Sequence, residues 1–252
     1  MLQWLCDSAF SLWPQPLPTR EQMAEAKIVA HRGLTGLVGD RENTLASFRR
    51  CRDRGVWGVE LDLRWSQDHV PFVLHDPQPG RLFPQARALK PSQESWANIK
   101  KHCPEIPSLQ QVLDNCGGRT HLMIELKEAL DSERQERLQT LLAPLSPCED
   151  YHLLSLDPLF FQNQGWLPKE ALVLVALTNT RQISHEVHKR DLGGIAGHYV
   201  LVNQAILRSH QVKNQKVGVG FVASQNSLYR ELIRGVDWIF TNRAIVLQNF
   251  LE

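Results

Sequence analysis

The chain is short of paired cysteines, of excess charge of either sign and of long apolar runs, and each shortage removes a class of function. Its five cysteines (Cys6, Cys51, Cys103, Cys116, Cys148) are odd in number, scattered, and form no Cys-x-x-Cys. A disulfide framework or zinc knuckle is thereby disfavoured, and a reducing, cytoplasmic compartment is expected. Lys plus Arg number 28 against 27 Asp plus Glu, a net charge of +1. A nucleic-acid binder normally carries a basic excess or stripe, so no nucleic-acid partner is expected. The longest purely apolar run, Ala171 to Leu177, has seven residues, against the ~20 of a transmembrane helix. What is present is 252 residues with 42% apolar and 22% charged content, the profile of a globular enzyme or binding domain.

Residues 1–26 read as a segment apart, apolar and proline-rich, with Trp4, Phe10, Trp13, Pro14, Pro16 and Pro18. No Lys or Arg precedes Arg20, and Asp7 and Ser8 interrupt the apolar stretch, so the reading is a retained segment rather than a secretory signal. Interfacial lipid anchors carry a Lys/Arg-rich polar face, which this one lacks. Docking on the domain is therefore favoured, with peripheral membrane contact through residues 1–18 as the minor reading.

From Lys27 to the end, short apolar runs alternate with helical patterns, which predicts one α/β domain over residues 27–252 with a parallel sheet. Polar residues cluster at the carboxyl ends of the predicted strands: His31, Glu60 and Asp62, His75, Glu125 and Lys127. That rim carries the active site in (β/α)8 barrels, so a TIM barrel is expected. Only eight residues (63–70) separate the second and third predicted strands, fewer than the dozen or more of a helical crossover. The expectation is a barrel in which the helix between those strands is replaced by an extended segment. Nine strands are predicted, one more than the barrel holds.

Side chains two apart on a strand share a face, about 6.6 Å apart. Val59-Glu60-Leu61-Asp62-Leu63 then sends both carboxylates one way, and Ile124-Glu125-Leu126-Lys127 repeats the device with Glu125 and Lys127. Three carboxylates in one mouth repel unless a cation lies among them, and oxygen-only ligands suit one divalent Mg²⁺ or Ca²⁺. His31 and His75 flank the set, and imidazole is the usual proton carrier near neutral pH. Two such groups supply about 10²–10⁴ each, or roughly 5–11 kcal/mol of barrier lowering together. The cations Arg32 and Lys127 are placed to meet charge on a phosphoryl oxygen.

Ile28-Val29-Ala30-His31-Arg32-Gly33, Glu42-Asn43-Thr44-Leu45-Ala46-Ser47-Phe48, Gly58-Val59-Glu60-Leu61-Asp62-Leu63 and Val73-Leu74-His75-Asp76 resemble the glycerophosphodiester phosphodiesterase family. The resemblance runs on through Ile106-Pro107-Ser108-Leu109, Ile124-Glu125-Leu126-Lys127, Ser155-Leu156-Asp157-Pro158 and Val236-Asp237-Trp238-Ile239-Phe240-Thr241-Asn242-Arg243. It implies a metal-dependent barrel that hydrolyses small-molecule glycerophosphodiesters to glycerol 3-phosphate and an alcohol, through a cyclic phosphate. It implies His31 and His75 as the acid–base pair, Glu60, Asp62 and Glu125 as metal ligands, and Arg32 and Lys127 as phosphate holders. Glu42 would orient Arg32, and Asn43 would line the site.

Two departures stand out. The family's Trp after the penultimate strand is replaced by Phe221, which can still stack on a glycerol backbone, and the usual closing Thr-Asp is Thr241-Asn242. The segment between His75 and Pro107 is short for the family, which implies an open mouth. Rival readings are a lysophospholipase D or phospholipase-type diesterase and, in another class, a non-catalytic phosphodiester-binding barrel. A zinc hydrolase is disfavoured, since no His-x-His or His-x-x-x-His spacing exists.

Overall fold

The computed structural model describes residues 11–34, 41–162 and 164–251. Eight strands run parallel: β1 (Ile28–Ala30), β2 (Gly58–Trp65), β4 (His121–Leu126), β5 (Tyr151–Ser155), β6 (Leu172–Ala176), β7 (Gly194–His198), β8 (Lys216–Gly220) and β9 (Trp238–Thr241). Neighbours pair in the order β1-β9-β8-β7-β6-β5-β4-β2, and β1 pairs with β2, so the barrel closes. It is a TIM barrel, as expected.

The surplus among the nine predicted strands is the third, which has a different role. β3 (Pro71–Val73) pairs antiparallel with the overhanging end of β2, Leu63 opposite Val73 and Trp65 opposite Pro71. The eight-residue gap is a hairpin closed by Ser66, whose N–H donates to the Val70 carbonyl at 3.1 Å and whose hydroxyl bonds Asp68 at 2.6 Å. The extended segment is therefore present, but as an arm on β2 rather than a barrel stave. The crossover to β4 keeps a helix, Leu109–Cys116.

Local chemistry explains the helices around the barrel. Helix α1 (Arg20–Ala24) and helix α2 (Leu45–Asp53) begin on Thr19 and Thr44, each hydroxyl accepting from the N–H three residues on. After α3 (Trp96–His102), Ser108 caps α4 (Leu109–Cys116) in the same way and Asp131 caps α5 (Ser132–Leu142). Such caps satisfy backbone donors that have no partner within the helix. The ring continues with α6 (Thr180–Arg190), α7 (Gln204–Gln211), α8 (Gln225–Arg234) and α9 (Ala244–Gln248).

Strand alternation divides the apolar residues into two cores. Val59, Leu61, Leu63, Leu122, Ile124 and Leu126 face the helices, whereas Val29, Met123, Leu154, Val173, Trp238 and Phe240 fill the barrel. A third, smaller core of Phe72, Leu74, Phe83, Ile99, Cys103 and Ile106 underlies the segment that follows β3. That segment is thus a packed cap with its own interior, wound as three short 3₁₀ turns and α3.

The expected N-terminal docking segment lies partly outside the described residues. Of the remainder, Pro18 is buried, Leu12, Trp13 and Leu17 are exposed, and the Ser11 carbonyl accepts from Asn226 Nδ2 at 2.7 Å. No helix among the described residues is long and apolar enough to cross a membrane.

Candidate active site

β2 and β4 lie side by side in register, with Glu60 opposite Met123 and Asp62 opposite Glu125. Both strands alternate, so the polar set points into the barrel mouth while the leucines point out. Glu60, Asp62 and Glu125 each bring an oxygen within 4.8 Å of the other two, a group that can hold a metal ion. Burial pushes the Glu60 carboxyl well above the ordinary carboxylate range, and the charges of Asp62 and Glu125 add to it. Burial also raises Glu125. Asp62 moves the other way, because Lys127 and Arg32 outweigh its burial. Glu60 Oε1 is buried and has no hydrogen-bond partner. An oxygen-only donor set with one orphaned carboxylate oxygen fits a hard divalent cation.

The chain's own cations crowd the same place. Lys127 Nζ is 2.8 Å from Asp62 Oδ1 and bonds Glu125. Arg32 stands in the turn after β1 with φ +57°, followed by Gly33 at φ +78°. A Cβ on Gly33 would lie 2.5 Å from Ser47 Oγ, so the turn needs glycine for both its φ and its close approach to α2. This turn aims the Arg32 N–H at Glu60 Oε2 (2.9 Å) and brings Arg32 Nε to 3.4 Å from Asp62 Oδ2. Asn43 N–H donates to the Arg32 carbonyl at 2.9 Å, and its Nδ2 donates to Asp62 Oδ2 at 2.7 Å. Glu42 accepts from Arg32 Nη1 at 3.0 Å.

His31 and His75 reach the rim by different routes. His31 ends β1, its N–H bound to the Thr241 carbonyl at 2.9 Å. Its Nδ1 is 2.8 Å from Asn242 Oδ1, its Nε2 is 3.9 Å from Glu60 Oε2, and Phe221 meets the ring edge-on at 5.0 Å. An amide oxygen only accepts, so Nδ1 carries the proton and Nε2 keeps its lone pair toward the carboxylates. Burial lowers the His31 pKa, against the raising effect of the Asn242 bond. Asn242, noted in sequence only as a departure, is thus an orienting partner without charge.

His75 arrives through the hairpin: β3 returns from above the rim, and the Leu74 N–H bonds the Asp62 carbonyl at 2.9 Å. Its Nδ1 is 2.7 Å from Asp76 Oδ1, whose Oδ2 accepts from Arg81 Nε at 2.6 Å. Asp76 and Arg81 escaped sequence reasoning as site residues. The only available signal was the position of Asp76 next to a rim histidine. His121 and His152 lie elsewhere: they bond each other at 2.8 Å at the amino ends of β4 and β5, away from this rim.

The carboxyl-end rim of the closed TIM barrel thus carries three clustered carboxylates, two oriented imidazoles and two cations, a set able to hold a metal ion beside an anionic ligand. The chain matches, over residues 31–143, a family model described as the glycerophosphoryl diester phosphodiesterase family. It is 33% identical to glycerophosphodiester phosphodiesterase 1 of Bos taurus over 119 residues, 40% of this chain and 35% of that protein. It is 33% identical over 113 residues to a glycerophosphodiester phosphodiesterase of Caldanaerobacter subterraneus, 41% of this chain and 46% of that protein. The matched stretch thus spans between a third and a half of these relatives.

The fold matches over nearly the whole chain. A glycerophosphodiester phosphodiesterase from Thermotoga maritima superposes with a TM-score of 0.75 at 21% identity, covering 89% of this chain and 97% of that one. A phosphodiesterase from Oleispira antarctica, solved with the product sn-glycerol-3-phosphate, gives 0.76 at 20% identity, covering 89% and 96%.

Proposed function

We propose that this chain is a divalent-metal-dependent phosphodiesterase that hydrolyses glycerophosphodiesters to glycerol 3-phosphate and an alcohol. The observation that carries the reading is the convergence of Glu60, Asp62 and Glu125 between two imidazoles whose Nδ1 atoms are each occupied, leaving both Nε2 atoms for substrate. Glu60, Asp62 and Glu125 would hold one Mg²⁺ or Ca²⁺, which when bound supplies Lewis-acid stabilisation of charge on a phosphoryl oxygen. Arg32 and Lys127 bind and orient the phosphate, and Phe221 packs beside the glycerol while fixing the His31 ring.

In the first step His31 Nε2 takes the proton of the glycerol 2-hydroxyl as that oxygen bonds phosphorus. The bond from phosphorus to the alcohol breaks, and His75 Nε2 gives the departing oxygen its proton. In the second step water loses a proton to His75 and attacks the cyclic phosphate, while His31 returns its proton to O2. The lowered pKa of buried His31 supports its role as the first base. A reducing, cytoplasmic setting fits cysteines scattered through the apolar cores, as Cys51, Cys103 and Cys116 are. ³¹P spectroscopy during turnover of glycerophosphocholine tests the course: a transient cyclic phosphate followed by glycerol 3-phosphate is expected, and direct appearance of phosphocholine refutes it.

One observation favours a second reading, a diester bearing an acyl chain. Leu156, Leu159, Leu177 and Leu201 are exposed on the loops that follow the carboxyl ends of the adjacent strands β5, β6 and β7. They make one side of the mouth apolar, opposite the charged side built on β1, β2 and β4. Comparing kcat/KM for glycerophosphocholine and a short-chain lysophosphatidylcholine decides between the two.

A further inference from the structure

A continuous polar chain links the two sides of the site through a residue of the cap. From His75 Nδ1 it runs to Asp76 Oδ1 (2.7 Å), and from Asp76 Oδ2 to Arg81 Nε (2.6 Å). Arg81 Nη1 then reaches Glu42 Oε2 at 3.2 Å, its Nη2 bonds Glu42 Oε1, and Glu42 Oε1 accepts from Arg32 Nη1 at 3.0 Å. Arg32 closes on Asp62. One guanidinium therefore spans the carboxylate that orients a proton-transfer imidazole and the carboxylate that orients a phosphate-binding arginine.

The fold fixes Arg81 for this position. It ends the 3₁₀ turn Pro79–Arg81, in which Pro79 is buried and a Cβ on Gly80 would lie 2.8 Å from Arg87 Cα. The next residues, Leu82 and Phe83, pack into the cap core. The side chain itself is 48% exposed. Exposed ion pairs add little to stability, so the value of this bridge lies in geometry rather than in holding the cap down.

We propose that Arg81 is a positioning residue, bridging Asp76 and Glu42 so that the His75 imidazole and the Arg32 guanidinium keep one mutual geometry across the mouth. Resting on the functional reading above, this adds the cap to the site: the segment after β3 sets the orientation of His75 and Arg32 as well as bounding the opening. Arg is suited to the task because its planar fork meets two carboxylates at once, which a lysine ammonium cannot do with the same directionality.

The test combines kinetics with histidine NMR on the full chain. Arg81→Ala is expected to lower kcat/KM for glycerophosphocholine about 10–100-fold, the scale seen when partners of site ligands are removed. Arg81→Lys recovers part of that loss. Asp76→Asn and Glu42→Gln are expected to be non-multiplicative in the presence of Arg81 and multiplicative in the Arg81→Ala background. In ¹⁵N-histidine spectra, the His75 Nδ1–H is expected as one hydrogen-bonded signal held by Asp76 in the native chain, and as a shifted, exchange-broadened signal in Arg81→Ala. The spectra need no turnover, so they report on Arg81 even if no diester is hydrolysed, which would sink the functional reading alone. An unchanged His75 Nδ1–H signal in Arg81→Ala overturns the proposal. So does a fall in kcat/KM that only follows the fraction unfolded by circular dichroism.

Discussion

Glu60 and Asp62, two residues apart on one strand, are driven in opposite directions by the same site. Burial raises the Glu60 pKa, while Lys127 and Arg32 overcome burial at Asp62 and lower it. The protein's own cations outweigh burial at Asp62 but fall short of it at Glu60, whose Oε1 is unpartnered. That asymmetry defines where a metal ion relieves the strongest electrostatic penalty.

Glu60 therefore costs stability in the absence of metal. Its folded pKa lies above its ordinary value of 4.5, so it favours the fold below that pH and loses that contribution as pH rises through its raised pKa. Glu60→Gln in EDTA at pH 7 is expected to raise Tm by about 2–4 °C, the response of a domain of this size to ~1 kcal/mol. The gain shrinks toward pH 4. The same variant loses the Tm increase that Mg²⁺ or Ca²⁺ gives the native chain. Thermal melts with and without metal check both signs.

With His31 as the proposed base, the acid limb of kcat/KM is expected to report its titration. Burial lowers its pKa from 6.5, so the base form persists and the limb falls below the ordinary imidazole value. Asn242→Asp puts an anion on Nδ1, which stabilises the imidazolium and moves the limb to higher pH. A pH–rate profile of both proteins decides it. An unmoved limb means that His31 is not the titrating base.

Removing either imidazole tests their catalytic roles separately from the metal. His31→Ala and His75→Ala are each expected to lower kcat by roughly 10²–10⁴. Calorimetric Mg²⁺ or Ca²⁺ affinity stays near the native value in His75→Ala, because no His75 contact to the three carboxylates is part of the proposed ligand set.

The turn after β1 couples fold to site. Gly33→Ala forces a positive φ on a residue with a side chain and drives its Cβ against Ser47. A loss of about 1–3 kcal/mol in urea denaturation is expected. Activity falls further than stability, since Arg32 leaves Glu60 and Asp62.

What was legible in sequence followed from period. Alternation in Val59–Leu63 and Ile124–Lys127 showed which carboxylates share a face, and the barrel register brings them together. Runs such as Ser132–Leu142 were readable because they are long and well capped. The 3₁₀ turns of the cap, Pro79–Arg81, Pro84–Ala86 and Pro91–Gln93, were not, because three-residue turns carry no period. The antiparallel sense of β3 was hidden too: an eight-residue gap is compatible with a hairpin, but strand direction is set by pairing. Asp76, Arg81 and Asn242 depend on tertiary neighbours, the cap core and the last strand, which no local pattern encodes.

The central claim is a metal-dependent diesterase built on His31 and the three carboxylates. Its most direct test is release of glycerol 3-phosphate from glycerophosphocholine, glycerophosphoethanolamine and glycerophosphoglycerol, in EDTA and with Mg²⁺ or Ca²⁺, beside His31→Ala. Release with at least one metal, absent in EDTA and lost in the variant, is the expected result. Equal release in EDTA, or full release by His31→Ala, contradicts it.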